Sequence, residues 1–139
     1  MKTKNILFAL ALSIGLFATS CNSSDENEGD TLAPLEGKWS IVKVGTNVNG
    51  VETLADPPQN VAGCNHDYID LKVNNTLVSG DYDSTVSQCA LTTVSGTYSK
   101  GDSKVTLVVN GASTTYDIVN LTLTELKLKN GNDISVYIR

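Results

Sequence analysis

The single histidine of this 139-residue chain stands beside a carboxylate, in Asn65-His66-Asp67. An imidazole next to an aspartate could relay a proton to or from a positioned nucleophile. No serine here lies in anything resembling a nucleophile elbow. Neighbours on a strand also point to opposite faces, so His66 and Asp67 are not expected to pair. A loop histidine in water is the simpler reading. Asp81-Tyr82-Asp83 is the second candidate, because alternation puts Asp81 and Asp83 on one strand face. A retaining glycosidase needs its carboxylates about 5–5.5 Å apart across a cleft, not in series along one strand. Calcium needs a loop of spaced oxygen ligands, which this stretch does not supply. Cys64, His66 and Cys89 fall one donor short of a structural zinc site. The chain is therefore expected to be no enzyme and to hold no cofactor or metal. His66, Asp67, Asp81, Tyr82 and Asp83 remain as candidate rim or ligand-binding residues.

The elements that must position them are strands. From residue 35 onward, short apolar alternations are separated by turn signals, and no helical period is sustained. Strands are expected over 38–44, 51–54, 67–73, 76–82, 92–99, 104–109, 114–119, 125–129 and 134–139. Asn-Gly stands at 49–50, 110–111 and 130–131. That dipeptide favours the positive φ angles of a type I′ turn, whose twist suits two antiparallel strands. Successive hairpins with one wet and one dry face predict a small antiparallel up-and-down barrel of about eight strands. In the last hairpin, Leu126, Leu128, Ile134, Val136 and Ile138 are expected to share the dry face. Inward Leu, Ile and Val would then nearly fill so small a barrel or leave room for one small ligand, so that a shallow mouth is expected sooner than a deep pocket.

The formal net charge is −5, and it becomes more negative once Lys2 and Lys4 are removed. An acidic surface argues against nucleic acid and against electrostatic binding to anionic lipid. The first 20 residues carry a basic start, an apolar run from Ile6 to Phe17 and then small residues. The run is too short to span a bilayer and has the order of a secretory signal. Phe17-Ala18-Thr19-Ser20-Cys21 resembles a bacterial lipobox, with Ala18 where leucine is usual. The resemblance implies acylation of Cys21 after removal of residues 1–20, and a membrane contact made through that lipid. Residues 21–34 are polar and acidic, as a disordered tether would be. Ser23-Ser24-Asp25-Glu26-Asn27-Glu28 resembles the acidic export tags of Gram-negative lipoproteins. That resemblance implies an outer-membrane anchor facing the cell surface, with the periplasmic face as the alternative.

With Cys21 assigned to lipid by that resemblance, Cys64 and Cys89 remain as one pair in an oxidising compartment. A disulfide is expected in preference to a metal.

Leu35-Glu36-Gly37-Lys38-Trp39-Ser40-Ile41 resembles the opening of a lipocalin, with Gly-x-Trp on the first strand. Cys64 before one strand, Cys89 before Gly96-Thr97-Tyr98, and Leu121-Thr122-Leu123-Thr124-Glu125-Leu126 before the last hairpin continue the likeness. Together they resemble the lipocalin-like domains of bacterial lipoproteins over residues 35–139. The resemblance implies a basic residue over the tryptophan, the part Arg139 would play against Trp39 in closing the barrel. If Ile138 faces inward, Arg139 must come from the rim or the outside. The Thr-Asp-Tyr motif of lipocalins is absent; Thr115-Tyr116-Asp117 has another order. The function implied is binding of a small apolar or amphipathic ligand by a monomer. The alternative is a filled barrel that contacts protein or glycan through its loops.

Overall fold

The computed structural model describes residues 33–85 and 89–139. The expected signal segment, the Cys21 expected to be acylated and most of the expected acidic tether lie outside those residues. Nine strands and no helix make up the described chain: β1 Gly37–Val48, β2 Val51–Ala55, β3 Tyr68–Leu71, β4 Thr76–Asp83, β5 Ala90–Lys100, β6 Lys104–Val109, β7 Ala112–Leu121, β8 Glu125–Asn130 and β9 Asp133–Ile138. Each pairs antiparallel with the next from β3 to β9, and β9 pairs back on β1. Eight strands thus close into a barrel, with β2 as an extra strand on the far end of β1. Closure leaves the eight strands without a free edge.

β1 is long enough to serve three partners. Residues 37–40 pair with β3, 40–46 with β9 and 44–48 with β2, with a bulge between Ile41 and Lys43. A Cβ on Gly45 would stand 1.8 Å from the Thr53 carbonyl oxygen, so the β2 backbone lies against the outward face of β1. Glu52 of β2 then reaches Lys127 of β8, 3.0 Å away. Among the described residues, the strands, the closing ladder and the core lie between Ala33 and Arg139.

Two of the Asn-Gly pairs sit at the centre of two-residue turns, Asn49-Gly50 and Asn110-Gly111, all four residues at positive φ. The third turn is displaced by one residue. Asn130 pairs with Asp133, so Gly131-Asn132 is central and only Gly131 has positive φ. Gly first is the type II′ preference. The expected strand over 67–73 stops at Leu71. Asn75 takes a left-handed φ of 62°, the chain turns, and Val73 is left 88% exposed at the tip.

Register overturns the expected dry face of the last hairpin. Leu126 pairs with Tyr137 and Leu128 with Ser135, whereas Ile134 and Val136 pair with Lys129 and Lys127. Directly paired residues point to one side. Leu126 and Leu128 belong to the core cluster, so Ser135 and Tyr137 face inward and Ile134 and Val136 face outward. A two-residue loop makes any other grouping impossible, because it matches even positions on one strand with odd positions on the other. Ile134 and Val136 are buried all the same, 2% and 6% exposed, on the side over which β2 is folded. Ile138, expected inward, is 46% exposed.

Candidate functional site

One end of the barrel is sealed. Trp39 and Leu35 are wholly buried, and the indole Nε1 donates to the Leu35 carbonyl at 2.7 Å. Leu71, Leu77, Tyr98, Val105 and Leu126 pack around them. The Tyr98 hydroxyl donates to the Lys72 carbonyl at 2.8 Å, and burial raises that phenol above its ordinary range. Arg139 shares the inward parity of Ser135 and Tyr137, so it comes beneath Trp39 from the barrel end and not from outside. Its guanidinium lies 4.1 Å from the ring centroid and donates to the Leu123 and Glu36 carbonyls at 2.6 and 2.7 Å. Gly37, at φ 133°, lets that guanidinium pass; a Cβ there would meet Nη1 at 2.9 Å.

The other end is open. Leu107, Val109, Tyr116, Ile118 and Tyr137 face inward by register yet are only partly buried. Several inward positions carry small residues: Ser79 opposite Val94, Thr114 opposite Leu107 and Ser135 opposite Leu128. Parity puts Ser135 inside and Val136 outside. A recess of about 280 Å³ is lined by Ile41, Ile69 and Tyr137 together with Asp67, Tyr68, Ser79, Gly80 and Asp81. Gln59 reaches it from the loop between β2 and β3, and Asn60 of that loop donates to the Ile41 carbonyl at 3.0 Å. The Cys64–Cys89 disulfide fastens the same loop to the start of β5, across 25 residues of sequence and 5.6 Å between Cα atoms.

Tyr137 is the most perturbed group described here. Burial pushes its phenol up to about 12; the Tyr116 phenol adds to the rise and the Ser135 hydroxyl opposes it. A raised phenol binds its proton more tightly folded than unfolded. Its contribution is therefore complete below about pH 10 and is lost as pH rises toward 12. Alkaline titration followed by ultraviolet absorbance should show one of the five tyrosines ionising last, together with a fall in stability above pH 10. A Tyr137→Phe chain that kept the late-ionising tyrosine would refute this assignment.

The candidate rim residues part company. Asp67 and Asp81 reach the recess. Asp67 also locks β3 to β4, its Oδ1 accepting from the Tyr82 backbone N–H at 2.7 Å. Asp81 and Asp83 do share a face, but Asp83 closes the turn after β4 by accepting from the N–H and hydroxyl of Thr85, which hold its carboxyl below the usual range. His66 is exposed outside the barrel, beside Cys64 and Tyr82. Tyr82 points outward with Tyr68, their centroids 6.3 Å apart, and Lys38 lies 3.7 Å from the Tyr68 centroid. Among the described residues, no three of His, Cys, Asp and Glu gather as metal ligands. Sequence reasoning missed Ile41, Gln59, Ile69, Ser79 and Tyr137 as site residues. For Tyr137 the signal was available, since an odd position must face inward once Leu126 and Leu128 do.

A family model described as a lipocalin-like domain matches residues 35–128. The crystal structure of a lipocalin-like protein from Bacteroides uniformis ATCC 8492 aligns with a TM-score of 0.56 at 14% identity, covering 76% of this chain and 97% of that one. An uncharacterized protein from Bacteroides eggerthii DSM 20697 aligns with a TM-score of 0.56 at 10% identity, covering 76% and 99%. At these identities the likeness concerns the fold alone. No curated protein matches the chain.

Proposed function

The chain belongs to the lipocalin-like domain family, and on that premise we propose that it binds a small apolar or amphipathic ligand in the open end of its barrel. The observation that carries this reading is the contrast between the two ends. Trp39 and Leu35 at the sealed end are wholly buried, whereas Ile41, Ile69 and Tyr137 line an open recess beside Asp67 and Asp81. Apolar surface left inside a concavity is a binding wall more often than a flaw in packing. A recess of about 280 Å³ sits just below the range of about 300–1,000 Å³ usual for drug-sized ligands, so the ligand is small. A filled barrel acting only as a platform for loops would lack such a wall.

Binding is tested by plugging the recess. Ile69→Trp, at a position 8% exposed beside Tyr137, should weaken capture of small ligands at least tenfold while the thermal unfolding transition stays cooperative. If Ile69→Trp folds and binds as before, the ligand does not enter here. In the same reading, Cys21 carries the lipid and holds the domain at the outer membrane, facing the cell surface. Intact-mass measurement of the membrane-extracted chain decides that part: an unacylated first residue, or retention of residues 1–20, refutes it.

A further inference from the structure

The recess carries a charge asymmetry that says what kind of head group it takes. Two carboxylates line it, Asp67 and Asp81, and none of its lining residues is cationic. Four other acids of the domain are neutralised by lysines: Asp56 by Lys43, Asp70 by Lys72, Asp117 by Lys104 and Glu52 by Lys127. Asp67 and Asp81 are in none of these pairs. Asp67 is held in place by the Tyr82 N–H, which fixes its direction without cancelling its charge. Ile41, Ile69 and Tyr137 share the same lining. The recess thus combines two carboxylates outside these ion pairs with apolar and aromatic groups.

We propose, resting on the ligand-binding reading above, that this recess selects small amphiphiles with a cationic head, of the alkylammonium or arylalkylammonium class. The apolar tail would lie toward Ile41, Ile69 and Tyr137, and the ammonium would sit between Asp81 and Asp67. A cation there gains Coulomb attraction from both carboxylates. A carboxylate-headed ligand meets repulsion from the same groups. Ser79 and Gln59 add neutral hydrogen-bonding groups to the same lining.

The test compares octylammonium, octan-1-ol and octanoate, which share a tail and differ in head charge. Binding to the 33–139 segment is followed by amide chemical shifts at Ile69, Ser79 and Tyr137 at low salt, after a cooperative thermal transition has been confirmed. Octylammonium should bind about three- to tenfold more tightly than octanol, and octanoate should be weakest, as expected for two partly solvated charges. Salt at 0.5 M, chosen on the order of several times the physiological level, should narrow the ratio of octylammonium to octanol affinity. Asp81→Asn should narrow the same ratio at low salt. Equal binding of octanol and octylammonium, tighter binding of octanoate, or a ratio indifferent to both salt and Asp81→Asn overturns the cationic selectivity and leaves ligand binding standing. If none of the three shifts those amides, the ligand-binding reading falls, and the selectivity with it.

Discussion

Replacing Trp39 with alanine is expected to cost the domain about 3–5 kcal/mol, the range for deleting a buried large aromatic side chain. The indole is wholly buried, and it is the element against which three parts of the chain converge. Its Nε1–H satisfies the Leu35 carbonyl, which fixes the entry segment across the barrel end. Its face receives the Arg139 guanidinium, which in turn holds the carbonyls of Leu123 and Glu36. Alanine would leave a cavity and an unpartnered Leu35 carbonyl, and Arg139 would lose its platform. For a domain of roughly 100 residues with a total stability of about 5–15 kcal/mol, that loss is severe. Urea unfolding checks it through the shift of the midpoint. Arg139→Ala should cost much less, about 0.5–1 kcal/mol from the cation–π contact, because Arg139 is exposed. A Trp39→Ala chain that loses under 1 kcal/mol, or an Arg139→Ala chain that loses as much as Trp39→Ala, would mean that the sealed end is held by something else.

Joint replacement of Cys64 and Cys89 by alanine is expected to cost about 3–4 kcal/mol, the chain-entropy figure for a loop of that length. The bridge closes 25 residues containing β3, β4 and the loop after them. Cys89 sits at φ 47°, a left-handed conformation that a non-glycine residue rarely adopts. Release from that conformation would recover part of the loss. The effect should also be local. Without the bridge, the loop from Asp56 to Asp67 keeps only a few backbone fastenings, chiefly the Asn60 amide on the Ile41 carbonyl and the Ile41 N–H on the Asp67 carbonyl. Hydrogen exchange at Gln59 and Asn60 should therefore quicken more than exchange at Leu126 or Leu128. Uniform quickening throughout the barrel would indicate that the disulfide stabilises the fold without positioning the mouth.

The hairpins were legible because Asn-Gly acts locally. Asn49-Gly50 and Asn110-Gly111 adopt positive φ whatever surrounds them, and the strands follow from the turns. Val73 was misread because alternation continues through Leu71 into the turn, and only the left-handed φ of Asn75 shows where the strand stops. The site was legible only in part. Asp67 and Asp81 carry charge and drew notice by composition. Ile41, Ile69 and Tyr137 look like any other strand residues until the strands are placed. The third Asn-Gly turn slipped by one residue because Asn130 pairs with Asp133. Even so, both placements give a two-residue loop and the same inward parity for Tyr137.

By itself, then, the sequence determined a chain of antiparallel hairpins, the lipocalin-like family and the residues at the sealed end. Each of these rests on short-range signals: turn dipeptides, period-two alternation and the Gly-x-Trp opening. Tertiary structure alone decided which face of β9 looks inward, and therefore whether the barrel is full. Ile134 and Val136 are the more apolar pair, and local hydrophobicity would have put them in the core. They face outward because the loop parity is fixed and Leu126 and Leu128 already occupy the inside. The extra strand β2, folded over the outward face at Gly45, provides the second burial site that makes this arrangement stable. With those two side chains accommodated outside, Ser135 and Tyr137 are left within, and the open end keeps its recess.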